Sequence, residues 1–399
     1  MSEATSSIMP APAAPAVLSD SLWLYLLFAL LATAGFFYIN IMSAIVDGLI
    51  TGLGFSNAEA GMVGSANIYG ASVGSLCAVF VVRHVQWKPA LGLLFTLLMA
   101  IDLGSILIHD PTTLTLVRAG HGFIGGMTVG IVYSVMARLN SPDRAFGMLL
   151  VLQFGLGGLG VMFLPLLVPV YGAKILFLVL ATLTALALVS MLAIPQALGR
   201  NRSKAELAAI PANYRKFTVV LALLALFLFQ AGNMSLAAFI IRLGEHAALS
   251  RDFIGQALGW ATWIGAAGAG FVIFMGTRFG RMRPLVAAFL LTLAGTAGFF
   301  WSENRAVYMI ANIGTAITWS FVVPYLFGMI SRLDPTGRLA ALGGFVSKCG
   351  LASGPLAAGL LLRTDNYDLL IWCALVALAL SSIAAFAAAR QVDQLEPAT

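Results

Sequence analysis

Four ionisable residues lie inside long apolar stretches of the sequence, where a charge could bind a ligand or carry a proton. A charge within a membrane-spanning segment costs about 2.5–3.5 kcal/mol on insertion scales, so it indicates function by default. Lys348 lies among small and apolar residues. We expect its ammonium group to bind an anionic group of a ligand. A structural ion pair is the alternative.

The other three residues, Asp102, Arg118 and His121, belong to two consecutive apolar stretches. If these stretches are antiparallel helices, Asp102 and Arg118 lie at matching depth, and an ion pair would offset the desolvation cost of both. Asp102 could also be a proton-carrying carboxylate whose pKa depends on Arg118. His121 lies on a nearby helical face and can titrate near neutral pH. A static pair and a buried, hydrogen-bonded histidine are the structural alternatives.

Further polar and aromatic residues fall near the middle of apolar stretches and could line a ligand site. They are Asn40, Gln230, Asn233, Trp263, Asn312 and Trp319. Aromatic residues at this depth more often pack between helices than contact a ligand.

The composition identifies the elements that must position these residues. Sixty per cent of the 399 residues are hydrophobic and 10% are charged, against about 25% charged residues in a soluble domain. Apolar runs of about 18 or more residues indicate membrane helices. The long runs show no strict alternation, which excludes a membrane β-barrel. We therefore predict an all-α membrane protein.

We count twelve such runs and predict one transmembrane helix for each. Their approximate boundaries are 22–47, 57–82, 89–108, 112–137, 144–169, 172–194, 216–243, 252–276, 284–301, 304–331, 337–362 and 367–389. The connection 195–215 is long, polar and basic, which indicates a linker between two six-helix bundles. The predicted organisation is a disordered cytoplasmic tail (1–20), an N-terminal bundle (21–194), a cytoplasmic linker (195–215), a C-terminal bundle (216–390) and a cytoplasmic tail (391–399).

The basic residues predict the orientation. With the N-terminus inside, fifteen Lys and Arg residues fall on cytoplasmic connections and five on the other side. Positive charge is retained on the cytoplasmic side of membrane proteins. We therefore expect a multi-pass protein of a bacterial inner membrane with both termini in the cytoplasm. The net charge of +6 reports this topology, and without a soluble basic face we predict no nucleic-acid partner.

The two predicted bundles share an internal repeat. When the chain is shifted by 194 residues, ARLNSPDR (137–144) aligns with SRLDPTGR (331–338), and at a shift of 195 Arg83 aligns with Arg278. This offset equals one six-helix half. Two halves with the same orientation imply pseudo-symmetry about an axis along the membrane normal.

Three motifs resemble those of the major facilitator superfamily. GTRFGRMRPL (276–285) and its degenerate copy VRHVQWKPAL (82–91) resemble the family's loop signature. RAGHGFIGG (118–126) resembles its fourth-helix motif, and GLASGPLAAG (350–359) its glycine-proline motif. The resemblance implies a twelve-helix transporter that works by alternating access, without a cofactor.

The loop signature departs from the family at one position. Thr277 and Val82 occupy the place of the family's Asp in the two copies, so we do not expect a charge-based lock there. Arg83, Arg278 and Arg281 remain as gating candidates, because a cation is favoured near the carbonyl groups of a helix C-terminus.

The repeat also suggests a second gate. Asp47 and Arg242 lie near the outer ends of the first and seventh predicted helices. In this architecture these ends approach each other in the inward-facing state. We predict an Asp47–Arg242 ion pair, with two solvated helix ends as the alternative.

The leading functional prediction is a monomeric, proton-coupled transporter of a small organic molecule. Lys348 and Arg118 favour an anionic or carboxylate-bearing substrate. Efflux of drugs or metabolites is the alternative, and a transporter-like sensor is a further one. We find no Walker A sequence, no H-E-x-x-H pair and no convincing nucleophile–base pair, so ATP-driven transport and an enzyme are disfavoured. We predict no metal and no cofactor.

Overall fold

The computed structural model describes residues 22–82, 84–136, 139, 142–194, 216–275, 280–333 and 338–395. The predicted N-terminal tail, the 195–215 linker, Arg83 and Arg278 lie outside these residues. Thirteen α-helices make up the described part: α1 Leu22–Asn40, α2 Met42–Leu53, α3 Asn57–Val81, α4 Trp87–Ser105, α5 Pro111–Met136, α6 Pro142–Tyr171, α7 Lys174–Ser190, α8 Lys216–His246, α9 Arg251–Met275, α10 Met282–Gly298, α11 Arg305–Leu333, α12 Arg338–Leu361 and α13 Tyr367–Leu395.

These helices form twelve spans, because α1 and α2 together make the first one. Eleven of the described helices are long and apolar enough to cross a bilayer. The less apolar α9 has 25 residues, which at 1.5 Å per residue gives about 37 Å, more than the roughly 30 Å hydrocarbon core. The first six spans form one half of the molecule and the last six form the other.

The first span differs from its prediction because it is broken at Ile41. The sequence predicts a continuous helix over 22–47, whereas α1 ends at Asn40 and α2 begins at Met42. Ile41 has φ −113° and ψ 25°, outside helical values. Hydrogen bonds from Ile41 N to Phe37 O and from Ile45 N to Ile41 O connect the last turn of α1 to the first turn of α2. Neither Pro nor Gly occurs at the break, so no sequence signal marks it.

The last helix also differs from its prediction. The sequence predicts a tail from residue 391, but α13 continues to Leu395. Val392 is buried, and the Asp393 carboxylate accepts hydrogen bonds from the backbone N–H groups of Arg281 and Met282 at 3.1 and 3.2 Å. These contacts with the start of α10 explain why the helix does not end at residue 390.

Local signals define the helix starts at one end of the molecule, which we call the Asp47 end. Ser56 and Glu59 form a capping box at the start of α3, which satisfies two otherwise unpaired N–H groups. Asp110 precedes α5 and accepts a hydrogen bond from the Thr113 backbone N–H at 2.7 Å. This hydrogen bond lowers the pKa of the Asp110 carboxyl.

Glycines let α3 and α5 pack backbone against backbone within the first half. A Cβ atom at Gly74 would overlap the carbonyl oxygen of Phe123, and one at Gly122 would overlap that of Asn67. Small residues permit such close approach between membrane helices. The two helices therefore pack without side chains between them.

Among the described residues, the halves are joined by the helix pairs α3–α12, α6–α9 and α2–α8. α3 packs on α12, where a Cβ at Gly61 would overlap the carbonyl oxygen of Pro355, and α6 packs on α9, where a Cβ at Gly255 would lie 2.5 Å from the carbonyl oxygen of Met162. The space between the halves is bounded by these pairs.

Candidate functional site

A cavity of about 440 Å³ lies between the two halves. Its walls come from α1, α2 and α6 of the first half and from α8 to α11 of the second. Gln230 and Trp319 lie near the middle of α8 and α11, which places the cavity at mid-membrane depth. Asn40 and Ser43, on either side of the break at Ile41, line its wall. None of the described residues that line the cavity is charged.

Three asparagines of the wall are held by backbone carbonyl groups. Asn40 donates its Nδ2–H to Gln153 O at 3.3 Å, across to α6. Asn233 and Asn312 donate theirs to carbonyl groups one turn earlier on their own helices, each at 2.8 Å. These bonds fix the amide orientation, since a flipped amide would place its own oxygen against the backbone carbonyl oxygen.

Gln230 connects two other side chains. Its Oε1 accepts the Trp319 indole N–H at 2.7 Å, and its Nε2–H donates to the Ser347 hydroxyl at 2.7 Å. Gln230 is buried and both ends of its amide are used. It holds the Trp319 indole in place against the cavity.

Five of the eight residues predicted to bind substrate line this cavity: Asn40, Gln230, Asn233, Asn312 and Trp319. The other three, Trp263, Lys348 and Arg118, lie elsewhere. The Trp263 indole N–H donates to Gly155 O of α6 at 3.2 Å, so this side chain joins the halves.

Lys348 lies on α12 and reaches toward the first half. Its Nζ donates to the Ser75 hydroxyl of α3 and lies 5.2 Å from the centroid of the Phe36 ring of α1. Among the described residues no carboxylate lies within ion-pairing distance of this Nζ. The structural ion pair considered from the sequence is therefore not formed between described residues.

Asp102 and Arg118 form a fully buried ion pair, with Arg118 Nη1 2.7 Å from Asp102 Oδ1. His121 Nε2 lies 3.2 Å from the same oxygen, and Asn67 Nδ2 lies 2.9 Å from His121 Nδ1. Because the Asn67 amide also donates to Arg118 O, His121 Nδ1 is an acceptor and Nε2 carries the hydrogen. The cluster therefore holds a neutral histidine beside one carboxylate and one guanidinium group.

Several atoms of this buried cluster have no hydrogen-bond partner. They are Asp102 Oδ2, Arg118 Nε and Nη2, and the Tyr38 hydroxyl oxygen. The Arg118 guanidinium carbon lies 4.5 Å from the centroid of the Phe177 ring, a distance at which the ring face attracts a cation. The cluster joins α1, α3, α4, α5 and α7 within one half of the molecule, away from the central cavity.

The Asp47 end carries an ion cluster between the halves. Arg251 of α9 donates to both Asp47 carboxylate oxygens at 2.8 and 3.2 Å. The predicted partner Arg242 lies farther away, at 3.7 Å, and donates to Glu245 at 2.7 Å. Arg251 also pairs with Glu245. Sequence reasoning missed Arg251, because its position at the start of α9 does not show which neighbouring helix its side chain contacts.

A second pair of contacts closes the same end. The Asn57 amide donates to Leu362 O at 3.0 Å and to Asp365 Oδ1 at 3.1 Å. These bonds join the start of α3 to the chain after α12. The Asp47 end is thus closed by one ion cluster and by the hydrogen bonds of the Asn57 amide.

Arg281, predicted as a gating residue, pairs within its own half. Its Nη1 lies 3.4 Å from Asp393 Oδ1. An acid from α13 thus stands beside Arg281, at the described end of the 276–285 motif. No sequence pattern connects Asp393 with that motif.

One sequence string has the spacing of a nucleophile elbow, although its context excludes that role. Residues 70–74 read G-A-S-V-G, but Ser72 lies inside α3, is buried and donates to Ile68 O. An elbow requires a turn from a strand to a helix. In the described part of the chain, no group of three or more His, Cys, Asp or Glu residues could hold a metal ion.

Comparisons with known proteins support the same architecture. The chain resembles the crystal structure of the nucleoside transporter NupG (TM-score 0.72, 15% identity, 92% of this chain and 98% of that chain covered). It also resembles a bacterial homologue of the human lysosomal transporter Spinster in an inward-facing, unoccupied conformation (0.69, 14%, 94% and 98%) and a D-xylose–proton symporter (0.65, 12%, 92% and 97%). At these identities the likeness shows the fold alone.

Sequence comparison identifies the family. A search of curated protein sequences finds no significant match. The sequence profile of the Major Facilitator Superfamily matches residues 24–358. The predicted fold of twelve helices in two six-helix halves is confirmed. The chain belongs to the Major Facilitator Superfamily and is a multi-pass membrane transporter.

Proposed function

We propose that this protein carries a small, uncharged organic molecule across the membrane by alternating access. The observation that supports this is the mid-membrane cavity, which both halves build and which no charged described side chain lines. A charged ligand would lose its hydration there without a counter-charge in return, which is costly. A neutral ligand with polar groups avoids that cost.

The contacts between the halves support the transport mechanism. Arg251–Asp47 and Asn57–Asp365 close the Asp47 end, and the substrate would leave by the opposite end after these contacts have formed. Rocking of the halves around a fixed central site would break them and expose the cavity at the Asp47 end. We propose that this end faces outward and that both termini are cytoplasmic in a bacterial inner membrane.

The structural neighbours are consistent with a neutral substrate. Two of them are named for a nucleoside and for D-xylose, both uncharged molecules that carry hydroxyl groups. These names describe those proteins. For this chain they suggest which compounds to test first.

We also propose that a proton gradient drives transport, with the protein acting as a monomer. Asp102 and His121 are the titratable candidates, and a proton could reach His121 Nδ1 only after the Asn67 amide has rotated. In the double variant Asp102→Asn/Arg118→Met, uptake that no longer responds to an imposed pH gradient would support this cluster as the coupling site. Unchanged gradient dependence would identify the cluster as a static pair.

A second candidate is transport of an anion, and Lys348 favours it. This partly buried ammonium group has a hydroxyl and an aromatic ring as neighbours, so an anionic substrate group could supply its missing counter-charge. The sequence-based expectation also relied on Arg118, but Asp102 already neutralises that cation. Only Lys348 supports the anionic alternative.

Uptake by purified protein in liposomes tests the proposal. Labelled uridine, D-xylose and benzoate should be compared with protein-free liposomes, with and without a pH gradient. Saturable uptake of a neutral compound that benzoate does not inhibit supports the proposal. Saturable benzoate uptake that Lys348→Gln abolishes would establish the anionic alternative, and binding without flux would indicate a sensor. Flux against outward and inward gradients distinguishes import from efflux.

A further inference from the structure

The three asparagine side chains of the cavity wall each offer an amide oxygen to a ligand. Asn40, Asn233 and Asn312 each use Nδ2 to bond a backbone carbonyl group. None of the three Oδ1 atoms is among the buried polar atoms that lack a partner, and none accepts a hydrogen bond from a described residue. Since all three residues line the cavity, these oxygens are available to a ligand there. An amide oxygen can accept two hydrogen bonds.

Three hydroxyl groups of the wall have the same bias. Thr262, Thr315 and Ser320 donate their hydrogens to the carbonyl groups of Leu258, Ala311 and Ala316 at 2.8, 2.8 and 3.0 Å. A hydroxyl group that donates to its own helix still has acceptor lone pairs. These three groups offer the cavity acceptors.

A proline adds a backbone acceptor to the same wall. Pro324 lies within α11 and lines the cavity together with Ser320. Because proline has no N–H, it cannot satisfy the carbonyl group four residues earlier, which is that of Ser320. This carbonyl oxygen therefore lacks its helical donor.

Two neutral donors of the wall are already used, whereas the Gln153 amide and the Ser43 and Thr296 hydroxyl groups remain available. The Trp319 indole N–H is bonded to Gln230 Oε1, and the Gln230 Nε2–H to Ser347. Each asparagine keeps one further N–H group that can donate. The asparagine oxygens, the hydroxyl oxygens and the Ser320 carbonyl oxygen together offer more acceptor sites than these N–H groups offer donors. The Trp319 ring itself supplies an apolar surface on the same side.

We infer that the cavity selects its substrate by hydrogen-bond donors: it binds a neutral molecule that presents several O–H or N–H groups to the asparagine oxygens and an apolar face to Trp319. This inference rests on the proposed function and narrows its substrate class. A buried acceptor left without a donor costs free energy, so a site of this kind rejects analogues whose donors are methylated. An anion would place further acceptors against acceptors.

Matched pairs of neutral compounds test the inference. The probes are uridine with its fully O- and N-methylated derivative, and D-xylose with its tetra-O-methyl derivative. Benzoate serves as the anionic probe. Binding is measured by thermal shift and calorimetry on the full chain in detergent, and uptake in liposomes. We expect the donor-bearing member of a pair to bind at least about tenfold more tightly than its methylated partner.

Variants connect this preference to named atoms. Asn233→Leu and Asn312→Leu remove an acceptor at similar size, and each should reduce the preference for the donor-bearing probe several-fold while the methylated probe is unaffected. Asn304→Leu is the control: Asn304 caps α11 outside the cavity, so its loss should lower stability without changing the preference. Asn233→Asp keeps the acceptors and provides a second check on folding.

The outcomes separate the inference from the function on which it rests. Equal or tighter binding of the methylated probes, or a preference that both leucine variants retain, would overturn selection by hydrogen-bond donors and leave transport of a neutral molecule standing. If none of the neutral probes binds and none is taken up, or if benzoate binds most tightly, the proposed function itself fails.

Discussion

The Asp102–Arg118 pair shows how a membrane protein keeps two charges in its interior. Both side chains are fully buried, with exposed fractions of 0%, and each offsets part of the other's desolvation cost. His121 adds a neutral donor to the same carboxylate. The pair connects α4 to α5 inside one half, so rocking of the halves need not change it.

Removal of one partner tests this stabilising role. Arg118→Met leaves the Asp102 carboxylate buried without its guanidinium partner, and we expect a loss of about 3–5 kcal/mol in the free energy of unfolding. Asp102→Asn combined with Arg118→Met removes both charges and should restore a large part of that loss. Denaturant unfolding in detergent, followed by circular dichroism, measures both. A double variant as unstable as Arg118→Met would contradict an ion-pair role.

In the ion cluster at the Asp47 end, Asp47 is the residue that the first half contributes. Its carboxylate is fully buried. Asp47→Asn keeps the size but removes the charge that Arg251 and Arg242 bind. The closed arrangement should weaken by at least about 1.4 kcal/mol, and transport should slow at least about tenfold. Uptake rates and the accessibility of a cysteine placed at the cavity from the Asp47 side measure the two effects.

Asp252→Asn is the matched control for this gate. Asp252 is exposed, lies next to Arg251 and bonds only Gln256 on its own helix among the described residues. It should transport like the wild type. Swapped charges in Asp47→Arg/Arg251→Asp should recover part of the activity that each single reversal loses, and a fully inactive double variant would argue against the pairing.

At the scale of elements, the contact between α3 and α5 makes a clear prediction. Gly122 and Gly120 lie two residues apart on α5, yet a Cβ at Gly122 would overlap Asn67 O, whereas one at Gly120 meets no atom within 4 Å. Gly122→Ala should destabilise the protein by about 1–3 kcal/mol through overpacking. Gly120→Ala should be neutral or stabilising by up to about 1 kcal/mol, because alanine favours the helix. Denaturant unfolding of the two variants compares them, and equal stability would refute the close contact.

Hydropathy and the internal repeat predict the elements well. Each of the twelve apolar runs corresponds to one described span. The break at Ile41 and the extension of α13 to Leu395 are not predicted, because both depend on contacts with other helices. Asn40 bonds α6 across the break, and Asp393 holds the start of α10.

The candidate site is predicted less completely, for a physical reason. A polar residue at mid-helix depth, such as Asn233 or Asn312, has few stable locations other than a cavity wall, and both line it. Depth does not reveal which way a helix is rotated. Lys348 lies at a similar depth but faces a helix seam, and Arg118, nearer to a helix end, faces a buried carboxylate.

At the scale of the whole molecule, the described contacts between the halves run from the Asp47 end down to the cavity. Asn57 bonds Asp365 at the end itself, Tyr69 bonds Ser353 farther in, and Lys348 bonds Ser75 deepest. Alternating access requires this seam between α3 and α12 to part at the Asp47 end. A covalent link across the seam should therefore stop the cycle.

Cysteines at positions 57 and 365 test this requirement. The Asn57 amide and the Asp365 carboxylate lie 3.1 Å apart, so Asn57→Cys and Asp365→Cys can be joined by a short bis-methanethiosulfonate in a background without Cys77, Cys349 and Cys373. Crosslinking should reduce uptake to the level of empty liposomes, because the cavity can no longer open at this end. A reductant should restore it, and each single cysteine treated in the same way should keep its activity. Continued uptake by fully crosslinked protein would mean that the substrate does not pass through the Asp47 end, and the proposed alternating-access path would be wrong.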